Sequence, residues 1–180
     1  LKDIGQVKVL QAGKALPLQA KVTSRHGDGS VRFLFLRFLA DLPGNKGLTL
    51  QCDLHGESTS EAAGDFGAVA VCEEENGISV RTRCEGTEQD FSFCVQHGAD
   101  SIFTKLNVLG RNYDKCQFVG PFLKDGDGNA YQVHIGQWKV VERGPICAIL
   151  KAKGSNVHVE GMSDRHIDFE VRLTAWAGKP

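Results

Sequence analysis

The chain has 180 residues, a mass of 19.6 kDa and a formal charge of −1, and 41% of its residues are hydrophobic. This composition excludes a disordered chain, and it excludes a partner bound mainly through charge, such as nucleic acid or an acidic membrane surface. No stretch approaches eighteen consecutive apolar residues, so no transmembrane helix is predicted, and the length suits a single domain over residues 1–180.

Period-two alternation of apolar and polar residues recurs along the chain and predicts β-strands. Val7 and Val9 begin the first strand, and residues 18–22 form the second. The third, at residues 31–39, follows the polar turn SRHGDGS and is apolar on both faces, which predicts a central strand. A half-buried strand is predicted at residues 48–54, with Cys52 on its inner face.

The middle of the chain combines a long polar loop with further strands. Residues 55–67 are rich in small polar side chains and lack periodicity, so they predict an exposed loop. Strands are predicted next, at residues 68–72, 78–84, 91–95 and 102–109. In the last of these, spacing typical of a short helix competes with the strand pattern, and strand is favoured.

The last third contains the cleanest alternation. Residues 131–140 predict one strand with a bend at Gly136, followed by strands at 146–151 and 157–159. In residues 166–176, the side chains predicted to face inward are Ile167, Phe169, Val171, Leu173 and Ala175. About ten strands with turns every eight to twelve residues predict an all-β antiparallel barrel or sandwich with little helix.

One segment has the spacing of a calcium loop. Asp125, Asp127 and Asn129 follow the D-x-D-x-N pattern that places oxygen ligands around a hard cation. The loop signature also needs Gly at its sixth position and Glu at its twelfth, where this chain has Ala130 and Gly136. Asp and Gly alternation is equally typical of a hairpin turn, which is the favoured interpretation.

The histidines offer a second metal hypothesis. His166, Asp168 and Glu170 share one face of a predicted strand and could bind a metal or transfer protons, whereas a solvated charged stripe is the favoured alternative. No histidine pair has metal-ligand spacing, and no motif for a nucleophile or a phosphate-binding loop is present. No cofactor is predicted.

Aromatic side chains are candidates for contact with a glycan or with another domain. Trp138, Trp176 and Tyr113 are the residues chosen, because exposed rings can stack on sugars and an exposed Trp is informative. Burial of both tryptophans in the core is the alternative.

Six cysteines occur, at positions 52, 72, 84, 94, 116 and 147, without any CxxC pair. Cys52, Cys84 and Cys147 fall in apolar runs, where cysteine usually acts as a small buried hydrophobe. Reduced core thiols are therefore expected, which favours a reducing compartment such as the cytoplasm. The start at Leu1 without Met and the end just after an alternating run suggest a fragment or a processed chain.

Several motifs, in order, resemble the N-terminal domain of bacterial exo-rhamnogalacturonan lyase-like proteins. The N-terminal motifs are Leu16-Pro17-Leu18-Gln19, Arg25-His26-Gly27-Asp28-Gly29-Ser30-Val31-Arg32-Phe33-Leu34 and Ala40-Asp41-Leu42-Pro43-Gly44. The later ones are Val141-Glu142-Arg143-Gly144-Pro145-Ile146 and Val171-Arg172-Leu173-Thr174-Ala175-Trp176-Ala177-Gly178-Lys179-Pro180. His26 stands where the family usually has Trp.

The resemblance implies a RIFT-type β-barrel that precedes a helical toroid carrying the lyase site. Such lyases cleave by β-elimination, in which a base removes the proton beside a uronate carboxylate. The catalytic residues of that family lie largely in the toroid, so no catalytic residue is assigned here.

Three functional hypotheses follow. The leading one is a non-catalytic barrel that supports the cleft of a downstream catalytic domain in a carbohydrate-active protein. The second is a stand-alone glycan-binding module for pectic oligosaccharides, and the third is an unrelated metal-dependent enzyme built on His166, Asp168 and Glu170.

Overall fold

Antiparallel β-sheets make up the chain in the computed structural model, which describes residues 1–40, 42, 44, 47–55, 69–83, 90–118, 120–158 and 167–178. The strands are β1 Lys8–Gln11, β2 Lys14–Ala15, β3 Leu18–Arg25, β4 Val31–Phe38, β5 Leu50–Asp53, β6 Ala70–Glu74, β7 Gly77–Arg83, β8 Asp90–Gln96, β9 Lys105–Val108, β10 Arg111–Asp114, β11 Leu123–Lys124, β12 Ala130–Ile135, β13 Lys139–Glu142, β14 Cys147–His158 and β15 Ile167–Trp176. Two single 3₁₀ turns, Ile4–Gln6 and Lys115–Gln117, complete the described elements.

The strands form four sheets within the described residues. Two of them are large. One has the strand order β10-β9-β8-β7-β6, and in the other β14 pairs with β12, β13 and β15 while β11 pairs with β12. The small sheets are β2-β1-β5 and the hairpin β3-β4. Every pairing is antiparallel, and one sheet curls into a half-barrel, so the all-β antiparallel prediction is confirmed. No helix in the described ranges is long and apolar enough to cross a membrane.

Strand β14 is the centre of the second large sheet. Its register with β15 runs without a break from Cys147↔Trp176 to Asn156↔Ile167, which uses one edge completely. Because a strand has only two edges, β12 and β13 both lie along the other edge. The predicted single strand over residues 131–140 is therefore two strands, β12 and β13, separated at Gly136, where the interruption was predicted. The amide of Gly136 donates to the Lys153 carbonyl at 2.9 Å between them.

The prediction of separate strands at 146–151 and 157–159 was wrong, because β14 is continuous between them. The linking residues lack apolar alternation, yet both edges of the strand are paired there. Pairing on two sides keeps a strand extended where its own side-chain pattern gives no signal.

The core lies between the two large sheets. Its buried side chains include Val80, Phe93 and Val95 from one sheet and Ile135, Trp138 and Leu150 from the other. On β15 the predicted inward face is confirmed for Ala175, which is buried, and for Phe169, Val171 and Leu173, which pack against the core. Ile167, the fifth predicted member, is 54% exposed at the start of the strand.

The sequence predicted a central strand at β4, but among the described strands β4 pairs with β3 alone. Phe33 is 58% exposed and Phe35 is 48% exposed. The Arg32 guanidinium lies 5.1 Å from the Phe33 ring centroid and the Arg37 guanidinium 4.6 Å from that of Phe35. Each ring thus contacts a cation at one side and stays largely exposed. The apolar run therefore predicted the strand correctly, but it did not predict that the strand would be exposed.

Strand β5 also departs from its prediction. Cys52 is exposed and Leu54 is 43% exposed, although both were expected to face inward. Among the strands that the structure describes, β5 pairs with β1 alone and lies at the edge of its sheet. Its side chains are therefore covered by fewer neighbours than the alternation predicted.

The strand prediction at 102–109 is confirmed over Lys105–Val108, where β9 forms a tight hairpin with β10. Leu109 and Gly110 both have positive φ, the conformation that a two-residue turn of this hand requires. Four other predictions fall outside the described residues: the loop at 56–67, Cys84, Val159 and His166.

The hairpin β3-β4 is attached to the body of the domain through Gln19, which is 7% exposed. Its side-chain oxygen accepts hydrogen bonds from the amides of Ile146 (3.1 Å) and Cys147 (2.9 Å). Its side-chain nitrogen donates to Glu142 Oε1 at 2.7 Å. Gly144 packs directly on this side chain, and the Cβ of any other residue there would overlap it.

We expect Gly144→Ala to destabilise the domain by about 1–3 kcal/mol, the usual cost of overpacking a filled site. The new Cβ would overlap Gln19, which cannot move without releasing its hydrogen bonds. Urea unfolding monitored by circular dichroism measures the change. Gly27→Ala is the matched control and should be nearly neutral, because open space surrounds that position. Equal midpoints for the two variants would contradict this packing.

Candidate functional site

The aromatic candidates do not share a surface. Trp138 is 2% exposed and belongs to the core, so a sugar cannot reach its ring in this structure. Tyr113 is half-buried on β10 opposite Leu106, which packs on the core. Trp176 is 42% exposed and points away from the core, because its neighbour Ala175 points inward. Of the three, Trp176 is the most exposed.

Trp138 also carries an unsatisfied polar group. Its indole N–H is buried and has no hydrogen-bond partner in the described part of the chain. Its backbone amide, in contrast, donates to Nδ1 of His97 at 3.0 Å. This bond assigns His97 a structural role at the bend, where its ring holds the backbone of the residue that fills the core.

The segment with calcium-loop spacing forms a hairpin turn between β11 and β12. The Asp125 carboxylate accepts hydrogen bonds from the amides of Asp127 (3.0 Å) and Asn129 (2.9 Å), from Asn129 Nδ2 (2.8 Å) and from the Tyr131 hydroxyl (3.0 Å). The oxygens that a cation would need are thus engaged by the turn itself. These bonds, the Asn129 side-chain amide first, lower the pKa of Asp125 from 3.8 to about 2.

The metal hypothesis on β15 has two described members. Asp168 and Glu170 lie on the exposed face of the strand, and Glu170 forms an ion pair with Lys151 at 2.6 Å. Among the residues with described positions, no group of three His, Cys, Asp or Glu side chains is arranged to hold a metal.

An open cleft of about 520 Å³ runs over the exposed face of the β14 sheet and combines Asp168, a metal candidate from the sequence, with His134 and Ser155, which the sequence did not single out. His134 lies directly opposite Ser155, which in turn lies opposite Asp168. A Ser-His-Asp triad needs the histidine between the other two, whereas here the serine is in the middle. Asp168 is two strands, roughly 9–10 Å, from His134 and cannot orient its imidazole.

A polar cluster that the sequence did not reveal lies where the hairpin meets the β14 sheet. The carboxylate of Glu142, whose side chain is 10% exposed, forms ion pairs with Arg37 and with Lys21, the latter at 3.4 Å. Gln19 and Arg37 are cross-strand partners, so they reach Glu142 from the same face of the hairpin. Burial raises the pKa of the adjacent Cys147 thiol, which keeps it protonated and unreactive.

The same face of the hairpin continues beyond the body of the domain. Phe33, Phe35 and Arg37 lie on the same face of β4, and Lys21 lies opposite Phe35. We call Lys21, Phe33 and Phe35 the hairpin face. It is contiguous with the buried Gln19 contact, yet more than 45% of each Phe surface is exposed. An uncovered aromatic surface beside a covered one is typical of an interaction site.

The cysteine prediction holds in part. The five described cysteines are free thiols, and Cys147 is fully buried as expected. Cys52, also predicted to be buried, is exposed on its edge strand. No protein-family model matches the chain, and no curated protein is significantly similar to it.

Fluorescence quenching should separate the two tryptophans, which are the only ones in the chain. We expect iodide to quench Trp176 and to leave Trp138 unaffected, because only the former is exposed. Trp176→Phe should therefore give blue-shifted emission that resists iodide, whereas Trp138→Phe should give strongly quenched emission. Similar quenching of the two variants would contradict the placement of the rings.

The stability of the Asp125 turn should depend on pH. Because folding lowers this pKa, the charged carboxylate stabilises the fold above the unfolded value of 3.8, and the contribution is lost as the pH falls through about 2. The difference in urea midpoint between the unmodified protein and Asp125→Asn should be constant above pH 4 and shrink below it. Asp127→Asn, in the same turn, is the control. A difference that does not change with pH would contradict this role.

Proposed function

We propose that this chain is a non-catalytic β-domain of a carbohydrate-active protein of the rhamnogalacturonan lyase-like type. In this proposal the domain packs against a separate catalytic domain and helps to shape its cleft. The hairpin face supplies the contact. The observation that carries the proposal is this uncovered aromatic surface, joined rigidly to the core through Gln19 and Glu142.

The first support is that motifs far apart in the sequence meet in space. Gln19, from the segment Leu16-Pro17-Leu18-Gln19, binds the amides of Ile146 and Cys147 and fills the space beside Gly144. Glu142, from the other motif, accepts a hydrogen bond from the same Gln19 side chain. Residues that resemble the family are therefore mutually constrained, as expected if the resemblance reflects a shared architecture.

The second support is the chemistry of the hairpin face. Fully burying a Phe side chain stabilises an interface by about 1.5–3 kcal/mol, so Phe33 and Phe35 represent a considerable unused contribution. Lys21, whose side chain is 53% exposed, lies beside them at the rim. An aromatic centre with a charged edge is the usual composition of a contact between domains.

The test mixes the purified chain with a separately produced helical catalytic domain of a lyase of this type. We expect the two to co-elute in size-exclusion chromatography and the double variant Phe33→Ser, Phe35→Ser to elute alone. Phe122→Ser is the matched control, since Phe122 is 72% exposed but lies outside the hairpin. Circular dichroism should show that all variants remain folded.

Two results would overturn the proposal. Unsaturated uronate product formed from pectic substrate by the chain alone would exclude a non-catalytic role. Undiminished co-elution of the double variant would exclude the hairpin face as the contact.

A second candidate function, glycan binding, is favoured by the exposure of Trp176. Its backbone is held in place, because the Thr82 hydroxyl donates to its carbonyl oxygen at 3.2 Å. A fixed backbone carrying an exposed ring is suited to stacking on a pyranose. Titration with pectic oligosaccharides should then change the fluorescence of Trp138→Phe, which retains only Trp176, and unchanged emission at millimolar sugar would exclude this function.

A further inference from the structure

Three lysines surround a cavity on the exposed side of the β14 sheet, away from the hairpin face. The cavity has a volume of about 420 Å³ and lies beside the bend between β12 and β13. Lys139, Lys151 and Lys153 line it together with Gln137 and Val141, and none of its lining residues is acidic. The charged side chains in this lining are therefore all cations, and Lys153 also lines the adjacent cleft that contains Asp168 and Glu170.

The sheet register places Lys139 and Lys151 unfavourably for folding, whereas Lys153 lies opposite Glu170. Lys139 lies directly opposite Lys151, and Lys151 lies directly opposite Arg172 on the next strand. Like charges directly opposite one another destabilise a sheet. Glu170 neutralises Lys151 at 2.6 Å, whereas Lys139, Lys153 and Arg172 have no ion pair with any residue that the structure describes.

We propose that this cavity binds a tetrahedral oxyanion with two negative charges, namely the phosphate monoester group of a small molecule. Lysine ammonium groups are effective point-charge binders of phosphate. Lys139 and Lys153 together match a dianion, whereas a single carboxylate would neutralise only one of them. Val141, which is 45% exposed, supplies an apolar surface for the organic part of the ligand.

This site is separate from the hairpin face and does not depend on the proposed function. Repulsion between neighbouring cations lowers the stability of the fold, and a bound anion would offset that repulsion. Anion binding would therefore explain why the cations are placed together. Removing one of the lysines should consequently weaken anion binding and raise the free energy of unfolding of the anion-free protein.

The first experiment titrates the ¹⁵N-labelled chain with inorganic phosphate, inorganic sulfate and acetate, each at constant ionic strength. We expect saturable shifts in the amide signals of residues 136–141 and 150–154 with either dianion, and weaker binding of acetate. Shifts no larger than those caused by sodium chloride would overturn the proposal, as would binding of acetate as tight as that of the dianions.

The second experiment uses substitutions at the cavity. Lys139→Gln should weaken dianion binding about three- to five-fold, the scale of one exposed ion pair. Without anion the same variant should have a higher urea midpoint, because a repulsive cross-strand pair is removed. Lys105→Gln, on the other large sheet, is the matched control and should not alter binding. Unchanged dianion affinity in Lys139→Gln would overturn the assignment.

Discussion

The side chain of Gln19 makes the contact that fixes the β3-β4 hairpin relative to the β14 sheet. It lies between the β3-β4 hairpin and the start of β14, and all of its polar atoms are used. The backbone amides of Ile146 and Cys147 would otherwise be buried without acceptors, and leaving a buried group unpaired costs about 1–3 kcal/mol. Glu142 is similarly dependent, because its largely buried carboxylate needs Gln19, Arg37 and Lys21 around it.

This contact explains residue choices that otherwise look unrelated. Gly144 has no side chain because Gln19 occupies the space that a Cβ would fill. Arg37 ends the Phe-Leu-Arg alternation of β4 where a cation is required beside Glu142. The exposed half of the hairpin is then presented at a defined position relative to the core, which any docking role for Phe33 and Phe35 would require.

The sequence predicted the β-class and most strands because alternation is a local property. It also predicted the interruption at Gly136 and the inward face of β15 from Phe169 to Ala175, where apolar residues alternate without interruption. It failed for β4, since an apolar run does not reveal how many neighbours a strand has. It failed again for the division of β14, whose continuity depends on partners distant in sequence.

The candidate functional residues were also harder to predict, because their roles depend on contacts that local sequence patterns do not show. The spacing of Asp125, Asp127 and Asn129 is shared by cation loops and hairpin turns, and only the hydrogen bonds to Asp125 show that the turn engages its carboxylate. Trp138 and Trp176 look alike in sequence, yet one fills the core and the other is exposed. The Glu142 cluster joins residues more than one hundred positions apart, which no local pattern could bring together.

Hydrogen exchange in the Gln19→Leu variant is the most direct measurement of the central role assigned to this side chain. We expect the amides of Ile146 and Cys147 to lose protection and β3 and β4 to exchange faster, while the amides of Val80 and Leu150 in the core stay protected. Unchanged protection at Ile146, Cys147 and the hairpin would contradict this role.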